Sequence, residues 1–193
     1  MLSPGDAAPD VALHDHTGQS VKLSQFWRRP VVLFFERHLG CPFCREHVAN
    51  VRDDYQRFRD AGAEVVVVTM GTPKQAAAFR EERKAPFACL ADPEQQAYRA
   101  YEIPRGGMNE VAGVCVWGAG LRATLRGGVR RPQGDLQQLH GVVIVDAAGV
   151  VRYVYRPKNS ADIPANEVIL HELQALTEDS TPSAGVAETP ADP

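Results

Sequence analysis

The sequence predicts an α/β protein in which a central sheet is flanked by helices. Short runs rich in valine and phenylalanine alternate with segments whose apolar residues recur every three or four positions. The runs at 31–35 and 65–69 are almost entirely apolar, which is typical of strands covered on both faces. Strands and helices that alternate in this way form βα units around one sheet.

The composition excludes several classes of protein. A chain of 193 residues with 44% hydrophobic and 23% charged residues is typical of one soluble globular domain. The net charge of -3 creates no field that would attract nucleic acid or an anionic membrane surface. The first residues lack the basic and apolar regions of a secretory signal, and no apolar run approaches the ~18 residues of a membrane span. We therefore expect a cytoplasmic protein without nucleic-acid or membrane partners.

The strand at 31–35 leads directly to a pair of cysteines, and a helix is predicted to follow them. Apolar residues after Cys44 recur at spacings of three, four and three, which indicates one helix with a buried face. These residues are Val48, Val51, Tyr55 and Phe58. Gly62 is expected to end this helix.

The next strand and helices are marked by capping residues. After the strand at 65–69, Thr72 is predicted to be an N-cap and Pro73 to lie in the first turn of a helix. Asp92 and Pro93 repeat the same pattern. Each pair therefore predicts the start of a helix.

The last third of the domain begins with a segment of undefined structure. Residues 105–134 are rich in glycine and arginine and show no clear period, so they are left unassigned as a lid or an insertion. Residues 142–145, a turn at 146–149 and residues 150–155 then predict a β-hairpin.

A final helix and a polar tail complete the chain. The residues that this helix is predicted to direct inward are Val168, Ile169, Leu173 and Leu176. From Thr177 onward the sequence has too little apolar area to offset its ordering entropy. The predicted organisation is one domain at 1–176 and a disordered tail at 177–193.

The chemistry of the chain is predicted to lie in Cys41-Pro42-Phe43-Cys44. Four cysteines are too few for a disulfide scaffold, and a CxxC pair in a reducing compartment favours redox or metal chemistry. Cys44 is expected in the first turn of a helix, where free N–H groups and the helix dipole can lower a thiol pKa to roughly 3.5–7.5. Cys41 lies close enough to form a disulfide with it, and Pro42 stiffens the connection.

The four cysteines allow other interpretations than a redox pair. Two inert thiols are improbable at this spacing after a buried strand, and zinc would need ligands beyond His38 and His47, without a second CxxC to complete the set. Cys89 is interpreted as a packing residue. Cys115 is interpreted in the same way, with a distant resolving thiol as the alternative. No metal ion or cofactor is predicted.

Several motifs together resemble the peroxiredoxins. The run at 31–35, followed by eight residues and then Cys44, matches their arrangement of strand, loop and peroxidatic cysteine. Further matching stretches are 9–13 with Gly18 and Leu23, 91–93, and 140–146. Residues 37–46 and 133–139 are most similar to the AhpC/TSA-type peroxiredoxin-like proteins of the peroxiredoxin-like 2 group. The resemblance extends to about Leu176.

The resemblance implies a thioredoxin-like fold, with a central mixed sheet and an N-terminal β-hairpin extension. It places Cys44 at the peroxidatic position and Cys41 where the family usually has threonine. Arg37 replaces a proline and is a candidate to stabilise a thiolate. His140 replaces the active-site arginine, and a histidine that titrates near pH ~6.5 would add a pH dependence between about 6 and 7.5.

The predicted function is thiol-dependent reduction of peroxides. A peroxide or another small oxidant would convert Cys44 to a sulfenic acid, Cys41 would resolve it, and a cellular dithiol such as a thioredoxin would reduce the disulfide. One alternative is a thioredoxin-like dithiol exchanger in which Cys41 attacks. Another is a redox sensor or binding module without catalysis. The particular peroxide, the reductant and a homodimeric state are left open.

Overall fold

A computed structural model describes residues 1–112, 124–125, 128 and 134–179. Its strands are β1 (Ala12–His14), β2 (Ser20–Lys22), β3 (Val31–Phe35), β4 (Glu64–Thr69), β5 (Ala88–Ala91), β6 (Gly141–Val145) and β7 (Val151–Tyr155). Its helices are α1 (Pro42–Asp53), α2 (Tyr55–Asp60), α3 (Pro73–Arg83), α4 (Gln96–Ala100), α5 (Met108–Ala112) and α6 (Asn166–Asp179), with a 3-10 turn at Leu23–Phe26.

The seven described strands form one mixed sheet in the order β2-β1-β5-β4-β3-β6-β7. β3 lies between β4, which is parallel to it, and β6, which is antiparallel to it. All five residues of β3 are buried, which explains its uninterrupted apolar sequence. The strands predicted at 31–35, 65–69 and 142–145 therefore lie in one central sheet, and the predicted hairpin of β6 and β7 is confirmed.

The N-terminal hairpin is also confirmed. β1 and β2 pair antiparallel, and β1 joins the edge of β5 through His14 and Ala91. The hairpin therefore extends the sheet as the resemblance implied.

Successive residues of β3 enter two separate cores, one on each face of the sheet. Phe34 packs edge-on against Phe58 of α2 and His47 of α1. Phe35 points to the other face, where it contacts Tyr98 and Tyr101. Because both faces are filled, the end of β3 is fixed in position.

The single helix expected after the cysteines is broken in two. Asp54 leaves the helical conformation at φ -94° and ψ 5°, between α1 and α2. Its carboxylate accepts hydrogen bonds from Asn166 Nδ2 at 2.8 Å and from Arg57 Nη1 at 3.1 Å. The break therefore anchors the start of α6. Gly62, at φ 74°, ends the second segment as predicted.

The capping predictions are confirmed at one site and corrected at the other. Thr72 forms a capping box with Gln75, and Pro73 is the first residue of α3. The Asp92 carboxylate accepts the N–H groups of Gln96 and Ala97, both at 2.8 Å. α4 begins only at Gln96, so the proline that follows Asp92 lies in a turn before the helix.

The inward face of α6 differs from the prediction at one residue. Ile169 and Leu173 are buried, but Val168 is 45% exposed, and Leu170 is buried instead. At 100° per residue, Val168 shares the outer face with Glu172, four positions later. The helix continues to Asp179, beyond the boundary predicted at 176, while 180–193 lie outside the described residues.

The segment left unassigned by the sequence is partly described. Residues 108–112 form α5, and a bridge joins Arg105 to Gln138. Cys115 lies outside the described residues. Within the part of the chain that the structure describes, no helix is long and apolar enough to cross a membrane.

Candidate active site

The site lies at the connection between β3 and α1. Residues 36–41 leave the carboxyl end of β3, Cys41 is the N-cap of α1, and Pro42 occupies its first position. Proline suits this position because the first N–H groups of a helix have no intrahelical acceptor. Cys44 is the third helical residue, as predicted. Both cysteines are only 1% exposed.

Arg37 connects both sulfurs to a distant part of the chain. Its backbone N–H donates to Cys44 Sγ at 3.3 Å, and its Nη1 lies 3.6 Å from Cys41 Sγ. Its Nε and Nη2 donate to the carbonyl oxygens of Gln138 and Leu136, both at 2.8 Å. The structure thus brings the predicted Arg37 into the site with its charge buried beside the thiols.

The two thiols differ in acidity, and the order is the reverse of the sequence-based expectation. A hydrogen bond from the Cys44 thiol lowers the pKa of Cys41 to about 7, against the effect of burial and with help from the Arg37 charge. Burial, donation to Cys41 and the negative charges of Cys41 and Glu36 raise the pKa of Cys44. These contacts and charges therefore favour ionisation of Cys41 over ionisation of Cys44 in the reduced pair.

His140 is in the site region but does not serve as a neutral-pH switch. It is fully buried, and its Nε2 donates to the carbonyl oxygen of Asp162 at 2.9 Å. Burial lowers the pKa of His140 to about 4, so the ring is neutral at pH 7. The pH dependence expected between about 6 and 7.5 therefore cannot come from His140.

Residues 156–165, here called the cover segment, contribute two side chains to the packing around the cysteines. Cys41, Phe43 and Cys44 form a small apolar cluster, against which Ala161 and Ile163 of the cover segment pack. Because both cysteines are almost fully buried, an oxidant or reductant can reach a sulfur only when some of the surrounding packing opens.

Two polar anchors hold the cover segment in place. The Asp162 carboxylate accepts from Tyr155 Oη at 2.6 Å and from the Lys158 N–H at 2.7 Å. Ser160 donates its N–H to the carbonyl oxygen of Glu110 at 2.8 Å, which ties the cover segment to α5.

A buried pair of ionisable groups lies on the inner side of the cysteines. Glu36 and His47 are 1% and 3% exposed, and Glu36 Oε1 lies 2.8 Å from His47 Nδ1. Tyr98 Oη donates to the backbone carbonyl oxygens of Glu36 and Val68. The sequence analysis assigned no role to Glu36. The one sequence signal for the Glu36–His47 pair was the position of His47. It falls on the same helical face as Cys44 and Val51, which are apolar and buried.

A cavity of about 360 Å³ opens beside this pair. It lies between α1 and the junction of the cover segment with α6. The side chains that line it include Phe43, Glu46, His47, Asn50, Ile163 and Asn166. His47 therefore borders both the buried carboxylate and a space that communicates with solvent.

The remaining candidates for chemistry do not join the site. Cys89 is in the core, and burial raises its pKa to about 12, which agrees with the predicted packing role. Burial also lowers the pKa of His38 to about 4. Among the described residues, no group of three or more His, Cys, Asp or Glu side chains is arranged to hold a metal ion.

A mixed sheet with a CxxC pair at the start of the helix after its central strand defines a thiol protein of the thioredoxin fold. The AhpC/TSA family model matches residues 4–154. The chain belongs to the AhpC/TSA family, as the resemblance indicated.

Individual relatives agree with this assignment. The chloroplastic peroxiredoxin Q of Oryza sativa subsp. japonica is 30% identical over 154 residues, which are 80% of this chain and 59% of the relative. The chain thus spans about three fifths of that relative's length.

Two solved structures share the fold. The crystal structure of peroxidoxin BcpB from Mycobacterium tuberculosis has a TM-score of 0.68 at 22% identity and covers 91% of this chain and 99% of its own. A Chlorobium tepidum structure assigned as thiol:disulfide interchange protein DsbE has a TM-score of 0.61 at 25% identity, covering 90% of this chain and 99% of its own.

Proposed function

We propose that this protein reduces peroxides with the Cys41 and Cys44 pair. The observation that carries the proposal is the position of Cys44 in the first turn of α1, directly after the central strand, in a chain of the AhpC/TSA family. The relatives named peroxiredoxin Q support the same activity.

The reaction uses the two sulfurs in turn. Cys44 first loses its proton, and its thiolate attacks one peroxide oxygen. The O–O bond breaks, and the leaving alkoxide takes up a proton to become an alcohol. Cys44 is then a sulfenic acid. The Cys41 thiolate attacks this sulfur and displaces hydroxide, which takes a proton from solvent to become water, and a disulfide remains. Two electrons have passed from the cysteines to the peroxide.

The disulfide needs a reductant to complete the cycle. We propose a cellular dithiol of the thioredoxin type, acting in the cytoplasm, where such dithiols are kept reduced. A homodimer is part of the same proposal, and light scattering of the reduced and oxidised protein tests it.

Trapping the sulfenic acid tests the assignment of roles. After brief treatment with hydrogen peroxide, Cys41→Ser should retain a sulfenic acid on Cys44 that a dimedone-type probe labels, and Cys44→Ser should label little. Peptide mapping locates the label. An unmodified wild-type pair after prolonged peroxide treatment would contradict peroxide reduction.

A second candidate function is dithiol–disulfide exchange, which the acidity of Cys41 favours. A thiol whose pKa is about 7 is substantially ionised at neutral pH and can attack a protein disulfide, after which Cys44 would resolve the mixed disulfide. The similarity to the DsbE structure supports this candidate. A label on Cys41 in the Cys44→Ser variant, with fast reduction of a protein disulfide, would favour it over peroxide reduction.

A further inference from the structure

We propose that the cavity beside α1 binds small disulfides and thiols that carry a primary ammonium group on a short apolar chain, and selects them for exchange with the cysteine pair. The inference rests on the proposed function only in requiring that Cys41 and Cys44 cycle between dithiol and disulfide. It goes further by naming the chemical class of small molecule that exchanges with them.

The cavity runs along one face of α1. The α1 residues that line it are Phe43, Glu46, His47, Asn50 and Asp53. Each of them lies three or four positions from another member, which is the spacing of neighbours on a helical face. From the first to the last the helix rises ~15 Å, at about 1.5 Å per residue. The volume of about 360 Å³ is that of a small-ligand site, since such sites typically enclose about 300–1,000 Å³.

One end of the cavity is apolar and adjoins the cysteines. Phe43, Ala161 and Ile163 line this end, and the same three side chains belong to the packing around Cys41 and Cys44. A molecule at this end therefore contacts side chains that surround the two buried sulfurs. An apolar chain suits this end, because it removes apolar surface from water.

The other end of the cavity is acidic. Asp53, Asp54 and Glu167 line it, and the described residues that line the cavity include neither lysine nor arginine. Arg52 pairs with Asp53 from outside the cavity. Arg57 pairs with both of the other carboxylates. Three carboxylates therefore share two guanidinium groups, and the excess negative charge favours a cationic ligand.

Two buried acceptor atoms of the cavity residues lack a donor. Asn166 is 5% exposed and donates Nδ2 to Asp54 at 2.8 Å, which fixes its amide orientation and leaves Oδ1 as an acceptor. His47 is 3% exposed, and the Glu36 carboxylate 2.8 Å from its Nδ1 places the ring proton there. Nε2, on the other side of the ring, is then the acceptor of the neutral imidazole. Neither Oδ1 nor Nε2 has a hydrogen-bond partner among the described residues.

A primary ammonium group matches these features together. It is a cation with three N–H donors and no acceptor, so it complements both buried acceptors and the acidic end. A hydroxyl group brings one donor and no charge, and a carboxylate brings the unfavourable charge. Amine-bearing thiols and disulfides carry the ammonium group at one end of a short methylene chain. Their sulfur, at the other end of that chain, then lies toward the cysteines.

The exchange with such a disulfide is balanced. The Cys41 thiolate attacks one sulfur of the small disulfide, whose S–S bond breaks, so that one thiolate leaves and a mixed disulfide forms. Cys44 loses its proton to solvent and attacks the Cys41 sulfur, which releases the second thiolate. Both released thiolates take up protons from solvent. Two electrons have passed from the cysteine pair to the small disulfide, and the reverse reaction reduces the oxidised pair.

Three small disulfides test the selection. The reduced protein is mixed in single turnovers with cystamine, hydroxyethyl disulfide or dithiodipropionate, whose ends are ammonium, hydroxyl and carboxylate groups. Each rate is divided by the rate of dithiothreitol with the same reagent, which corrects for intrinsic reactivity. Cystamine should exceed hydroxyethyl disulfide by ~10-fold, the usual scale of a hydrogen bond to a charged group, and dithiodipropionate should be slowest.

Asn50→Trp tests whether the selection occurs in the cavity. Asn50 is an exposed residue of the lining, so a large side chain there fills the cavity without entering the core. The preference for cystamine should be lost, while the rate with hydroxyethyl disulfide is retained. Gln56→Trp, at an exposed position of α2 outside the lining, is the matched control.

A charge variant and a direct binding measurement complement the cavity variant. Glu167→Gln should lower the preference for cystamine, whereas Glu64→Gln, a carboxylate of β4 paired with Arg59, should not. Binding without exchange is followed by amide chemical shifts when butylamine is added to protein carrying both Cys41→Ser and Cys44→Ser. If Asn50→Trp does not fold, Glu167→Gln and this titration decide the outcome.

A preference for cystamine that Asn50→Trp removes, with butylamine shifts at the cavity residues, supports the proposal. Equal corrected rates for the three disulfides, or a preference that Asn50→Trp retains, overturns it. Protein that selects cystamine but leaves hydrogen peroxide unreacted would contradict peroxide reduction and leave the amine site standing. Protein that reduces peroxide without selecting cystamine would overturn only the amine site.

Discussion

At the scale of single residues, the site is organised by what surrounds each sulfur. Cys41 accepts a hydrogen bond and lies 3.6 Å from an Arg37 nitrogen, whereas Cys44 donates its proton and lies near a buried carboxylate. Two thiols with similar burial therefore differ in acidity. The difference arises from neighbours rather than from exposure.

Alkylation of the reduced wild-type protein should follow the ionisation of Cys41. The rate of iodoacetamide modification is expected to rise through pH about 7, and Cys41 should be modified before Cys44. Peptide mapping at several pH values measures both rates. Faster modification of Cys44 at neutral pH would contradict the assigned acidity order.

Arg37→Met should weaken the Cys41 thiolate. It removes a buried positive charge while keeping much of the side-chain volume, and an adjacent opposite charge commonly shifts a pKa by about 1–3 units. The midpoint of Cys41 alkylation should therefore move to higher pH by about one unit. Arg152→Met, which removes a more exposed arginine paired with Asp146, serves as the control and should leave the midpoint unchanged.

At the scale of elements, the cover segment forms part of the packing around the pair. Ile163 and Ala161 pack on the cysteine cluster, while Asp162 and Ser160 hold the backbone in place. The anchors are polar and the covering side chains are apolar. Access can therefore be altered by changing a covering side chain without removing an anchor.

Ile163→Ala should increase the alkylation rate of Cys41 several-fold at constant pH, because the cover segment loses apolar contact with the cluster. Val168→Ala, on the exposed face of α6, is the matched control. Cys89 provides an internal check, since it is buried in the core and should remain unmodified unless the whole domain opens. Equal acceleration at Cys89 would indicate global destabilisation instead of local access.

Local signals predicted most of the elements. The apolar run of β3 and the capping box at Thr72 depend on neighbouring residues, so the sequence was sufficient for them. The break between α1 and α2 lies at Asp54, whose carboxylate accepts a hydrogen bond from Asn166, 112 positions away. No local sequence pattern indicates this break. The acidity order of the cysteines depends on burial, on the hydrogen bond between them and on the charges of Arg37 and Glu36, which the helix-terminus argument did not include.

At the scale of the whole molecule, the site is joined to the most buried part of the sheet. β3 is bordered by β4 and β6 and has a filled core on each of its faces. The cysteines follow this strand, while the cover segment follows β7 at the edge of the sheet. The reactive pair is thus firmly supported on one side and covered by a connecting segment on the other.

The stability of the reduced protein should depend on pH through Cys41. Folding lowers the pKa of Cys41 from its ordinary value near 9 to about 7, so the unfolded chain binds more protons between these values. The free energy of unfolding should therefore rise as the pH increases from about 7 to 9, and this contribution is lost as the pH falls through 7. Denaturant unfolding of the wild type and of Cys41→Ser measures it, and parallel pH profiles would contradict it.

Arg37 also influences how readily the pair accepts electrons. In the dithiol form its guanidinium faces the negative sulfur of Cys41, but in the disulfide form that charge has disappeared and the cation stays buried with the carbonyl oxygens of Leu136 and Gln138. Stabilising the reduced form alone shifts a thiol–disulfide couple toward a more oxidising reduction potential. Arg37 therefore favours the dithiol over the disulfide at equilibrium with a given reductant, and the dithiol is the state that meets the next oxidant.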